Sequence, residues 1–63
     1  MSQNHLAPVR LIEASLEARA AGLLLDRSVN QYSQQALYVE AAKRHLIKAL
    51  SVLADAELLS NDH

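Results

Sequence analysis

The chain has 63 residues, seven acidic against six basic for a net charge of −1, and no cysteine. A disulfide framework, cysteine-ligated zinc and a cysteine nucleophile are thereby excluded. The balanced charge also argues against a dedicated binder of nucleic acid or anionic membrane, which carries a basic excess.

Twelve Leu and eleven Ala dominate the apolar residues, with one Gly, one Pro, no Phe, no Trp and six β-branched aliphatics. This is a helix composition. A chain of this size has about 6,000 Å² to bury. If about 60% of that is apolar it contributes about 90 kcal/mol, against about 95 kcal/mol for ordering the chain. The sum is near zero, so a lone copy is marginal and association with a second copy or another protein is expected. The opening MSQNHLAPVRLIEA has no basic segment followed by an apolar run. Neither a signal peptide nor a membrane span is expected, and a cytoplasmic location follows by default.

Pro8 fits only the first turn of a helix, because it has no N–H to donate later, and Asn4 is the nearest good cap. Val9, Ile12, Leu16, Ala20 and Leu23 then recur at spacings of three and four, predicting a first helix from about Pro8 to about Asp26. Gly22 is read as interior, since a stop there would strand Leu23, Leu24 and Leu25 in a loop. Ser28 to Gln31 has the S-x-x-Q form of a capping box, which places the start of a second helix at about Val29. Tyr32, Ala36, Val39, Ala42, Leu46, Leu50 and Leu53 carry its periodicity to about Leu59; a break near Ser51 is the alternative. The fold class is all-α. One domain spanning 1–63 forms an antiparallel hairpin of two helices, since so short a connection allows no other arrangement.

The apolar arcs are wider than a hairpin needs. The expected core is Val9, Ile12, Leu16, Leu23, Val39, Leu46, Leu50 and Leu53, one stripe from each helix. A second strip, Leu11, Ala14, Ala18, Ala21 and Leu25, lies on the opposite side of the first helix, and the second is widened by Ile47 and Ala54 on one flank and by Tyr38, Ala49, Val52 and Ala56 on the other. Surplus apolar arc calls for a partner. Leu11, Leu25, Tyr38 and Val52 are the candidate interface residues, and a homodimer forming a four-helix bundle would bury both arcs.

Chemistry finds little support. Lys43, inside the second stripe, is expected to reach Glu17 or Glu13 across the hairpin, and Glu40 has the favourable spacing to pair with Arg44. Lys43, Arg44 and Lys48 form the one candidate nucleic-acid contact. His5, His45 and His63 have no ligand spacing, no glycine loop cradles phosphate, and no serine has a paired His and Asp. No metal, cofactor or catalytic residue is assigned, and an enzyme is not expected.

Ala42, Leu46, Ala49 and Leu50, within EAAKRHLIKAL, resemble the second helix of a tetratricopeptide repeat over about a dozen residues, without the first-helix signature. In length and hairpin layout, though in no motif, the chain resembles the repressor-of-primer family. That likeness implies a dimeric four-helix bundle contacting RNA hairpins. The expected function is a small interaction or regulatory adaptor acting as a homodimer. Two alternatives stand beside it: a nucleic-acid-binding regulator, and an inhibitor or chaperone-like subunit that folds on a larger partner.

Overall fold

The structure, a computed structural model, describes residues 7–61, with side chains as far as Leu58. It is an antiparallel hairpin: α1 spans Pro8–Asn30 and α2 spans Gln35–Asn61, joined by the short 3₁₀ turn Tyr32–Gln34. Pro8 opens α1 as its chemistry requires, and Gly22 lies inside it with open space where a Cβ would stand. Asn4 lies outside the described residues; Ala7 holds the cap position, its carbonyl accepting from the N–H groups of Arg10 and Leu11. α2 runs unbroken through Ser51.

The turn falls later than the capping-box pattern predicts. α1 continues to Asn30 because Ser28 is used inside it: its hydroxyl donates to the Leu25 carbonyl at 2.6 Å, and it is buried against α2. Gln31 closes the helix, its N–H donating to the Arg27 carbonyl. Gln35 then ties the two elements, its side-chain amide donating to the Ser28 carbonyl at 3.1 Å. No residue in the turn needs a positive φ. The chain reverses where the apolar pattern lapses, in the run Asn30, Gln31, Tyr32, Ser33, Gln34, Gln35.

The core differs from the expected one. Ala14, Ala21 and Ser28 on α1 and Ala42, Ala49 and Ala56 on α2 are buried, with Val52 beside them. Within each helix these small residues recur every seven positions, so they stay on one side of the helix along its length. Ala14, Ala49 and Val52 pack together, with Leu53 against them. Of the expected core, only Val39 and Leu53 are half-buried. Val9, Ile12, Leu16, Leu23, Leu46 and Leu50 are exposed, and no large side chain among the described residues is fully buried. The physical reason is proximity. Small side chains let helix axes approach toward the short end of the usual ~8–10 Å, where a row of leucines would not fit.

The result is a rod, 53 × 13 × 11 Å between its outermost Cα atoms. Its radius of gyration is 15.0 Å, where a compact chain of this length would have about 10.6 Å.

The inverted volumes make a direct test. Ala21→Leu should lower stability by about 1–3 kcal/mol or more, because a seam this tight cannot accept the added bulk. Leu16→Ala should cost under about 1 kcal/mol, far less than the ~2–5 kcal/mol of a core leucine. Urea denaturation followed by circular dichroism measures both.

Candidate interaction surface

The seven-residue repeat divides the hairpin surface into two broad faces and two edges. Residues three positions after the buried alanines, Glu17 and Leu24 on α1 and His45 and Val52 on α2, flank the seam on one side. Those four positions after it, Ala18 and Leu25 on α1 and Leu46 and Leu53 on α2, flank it on the other. Because the helices run antiparallel, like flanks lie side by side, as the contacts between Glu17 and α2 demonstrate.

The first face is polar. Glu17 sits at its centre and bridges the helices: His45 Nδ1 donates to Oε1 at 2.6 Å, and Lys48 Nζ lies 3.4 Å from Oε2. The hydrogen bond from His45 holds the Glu17 carboxyl below its ordinary range, with Lys48 adding to the effect and partial burial working against it. On α1 of the same face, Arg10 pairs with Glu13 at 2.9 Å. Tyr38 lies on this face near the turn, its hydroxyl donating to Gln31 Oε1 at 3.4 Å.

The second face is apolar. Leu11, Leu25, Val39, Leu46 and Leu53 line its middle, with Val29 and Leu50 further out. Leu11, Leu25 and Leu46 keep 42, 41 and 41% of their surface, half covered by the hairpin and half open, while Leu50 keeps 67%.

The candidate interface residues therefore separate. Leu11 and Leu25 share the leucine face. Tyr38 stands on the polar face, and Val52 is buried inside the hairpin at 7% exposure, so it is no surface residue at all. Leu46 and Leu50, assigned to the core from their periodicity, belong with Leu11 and Leu25 instead. The signal that locates them is the heptad of small residues, which marks the side of each helix that meets the other.

The basic cluster also separates. Lys43 pairs with Glu40 one turn away at 3.0 Å and not with Glu17 or Glu13. Glu40 is thereby engaged by Lys43 and not by Arg44, and Lys48 is the lysine that reaches Glu17. Lys43 borders the leucine face, Arg44 the outer edge of α2 and Lys48 the polar face, so the three cations do not share one patch. Among the described residues no group of three or more His, Asp and Glu side chains is placed to hold a metal ion. No helix of the described residues is long and apolar enough to cross a membrane.

Comparison of the chain with protein-family models, with curated proteins and with solved structures finds no match.

The Glu17 bridge gives a pH dependence of defined sign. A carboxyl whose folded value is depressed contributes stability above its unfolded value, near 4.3 for an ordinary glutamate, and loses it as pH falls through the folded value. Thermal melts should therefore fall on acidification below about pH 4.3, and Glu17→Gln should show a smaller fall than the parent over the same range.

Proposed function

We propose that this protein is a non-catalytic interaction module, a helical hairpin that pairs with a second copy through its leucine face to form a four-helix bundle and serves as a regulatory adaptor. The observation that carries this reading is the leucine face itself, built jointly by both helices from Leu11, Leu25, Val39, Leu46, Leu50 and Leu53. Size is of the right order: the side chains of this face span about 27 Å, from Leu11 to Val29, and two packed helices are about 18 Å across. Each copy therefore presents about 500 Å² and a pair buries about 1,000 Å², the lower bound for a specific interface.

Shape supports it as well. Leu11, Leu25, Leu46 and Leu50 project as knobs, and the small Ala18 and Ala36 on the same face leave hollows to receive a second copy's leucines. Self-association also supplies burial to a rod in which no large side chain among the described residues is fully buried. The basic residues offer less to a nucleic acid, because Lys43 and Lys48 are each engaged by a carboxylate and the three cations diverge.

Sedimentation equilibrium at micromolar concentration should return the mass of a dimer. Leu50→Glu, which alters only exposed surface in the single hairpin, should shift the mass toward the monomer. Leu37→Glu, on the outer edge of α2, should leave the dimer intact. A parent chain that stays folded and monomeric throughout would overturn the reading.

A further inference from the structure

The leucine face leaves large side chains unused on both outer edges of the hairpin: Leu37, Ile47 and Leu58 on α2, at 71, 65 and 70% exposure, and a longer set on α1. Val9, Ile12, Leu16 and Leu23 stand on the edge of α1 turned away from α2, at 73, 59, 58 and 62% exposure. With Arg19 and Asp26 they occupy positions 9, 12, 16, 19, 23 and 26, alternating by three and four. That alternation is the repeat of a coiled-coil seam. α1 thus carries two seams, small residues toward α2 and large ones toward solvent. Pairing of two leucine faces does not cover the second.

We propose that this outer seam of α1 binds one amphipathic helix of a different protein chain. That helix would offer aliphatic side chains to Val9, Ile12, Leu16 and Leu23, an acidic residue to Arg19 and a basic residue to Asp26. Width gives the first argument for this occupant. The seam is a single ridge about 21 Å long and one helix, about 10 Å, across, near 200 Å² in all. This is about a quarter of what each partner gives to a standard interface, and it matches one helix laid alongside.

Charge gives the second argument, because it disfavours a second copy of α1. Among the described residues no side chain forms an ion pair with the Arg19 guanidinium or the Asp26 carboxylate. A parallel copy in register sets Arg19 on Arg19 and Asp26 on Asp26. An antiparallel copy that aligns Ile12 with Leu23 sets Arg19 on Leu16 and Asp26 on Val9, and a heptad slide sets Arg19 on Leu23 or Val9, in neither case on an acidic residue. A parallel copy slid by one heptad pairs Arg19 with Asp26 once. It also sets Ile12 on Arg19 and Leu23 on Asn30, in a head-to-tail contact that does not close. A different helix with one acidic and one basic residue a heptad apart satisfies both charges and all four aliphatic positions. The two charges then act as a specificity device against self-pairing.

The test uses two labelled synthetic helical peptides with leucine seams and one Glu and one Lys a heptad apart, made in both chain orders. Fluorescence anisotropy should show one order binding the parent protein saturably. Leu16→Glu should weaken that binding at least about tenfold, equivalent to about 1.4 kcal/mol. Arg19→Glu should weaken it comparably, and changing the peptide's Glu to Arg should restore binding to that variant. Circular dichroism confirms that these exposed substitutions leave the helices formed. Leu50→Glu should leave peptide binding unchanged whatever it does to the dimer, so this site and the leucine face are judged separately. Four results would each overturn the proposal: neither peptide saturates, Leu16→Glu or Arg19→Glu has no effect, Leu50→Glu abolishes binding, or Leu16→Glu lowers the sedimenting mass of the protein alone.

Discussion

The structure depends on how closely the two helices approach. Ala14, Ala21 and Ser28 face Ala42, Ala49 and Ala56 along a seam in which every side chain is small. Helices held this near gain many weak dispersion contacts between their backbones and short side chains. The same proximity leaves no volume for leucine, so the large aliphatic residues are displaced to the flanks and the outer edges. Ser28 is tolerated in the seam because its hydroxyl is satisfied within its own helix by the Leu25 carbonyl. The continuation of α1 past the expected boundary, the exposed leucines and the rod shape all follow from this one constraint.

An alanine seam holds register well and buries little. Hydrophobic stabilisation scales with the apolar area removed from water, and an alanine contributes only a methyl. The hairpin therefore has defined geometry and a thin core, and most of its capacity to bury surface lies outside itself. Its two broad faces differ in kind. The polar face fixes the helices through Glu17, which accepts from His45 and draws in Lys48, while the leucine face has no such internal partner.

Much of the architecture was legible in the residues. Pro8 marked the start of α1, the run Leu23 to Leu25 made Gly22 interior, and the unbroken periodicity carried α2 through Ser51. Each of these depends on local chemistry, on a missing N–H or on spacing along one helix. The turn was misplaced because Ser28 and Gln31 have the form of a cap, while the competing use of Ser28 against α2 is a tertiary fact. The level of Lys43 along the hairpin points to Glu17 or Glu13 as its partner. Height does not say on which side of the helix a lysine leaves, and Lys48 leaves on the side where Glu17 stands.

The amino-acid sequence by itself determined that the chain is helical, that it folds back once, and that it carries more apolar arc than one hairpin can hide. Propensity, proline chemistry and periodicity act within a helix and need no knowledge of its neighbour. Only the tertiary structure decided which arc turns inward. Periodicity tells which residues share a side, and the largest stripe is the natural choice for a core when area alone is weighed. Two antiparallel helices chose the stripe of alanines, because close approach along a seven-residue repeat of small side chains outweighed the larger area of leucines that would have held them apart.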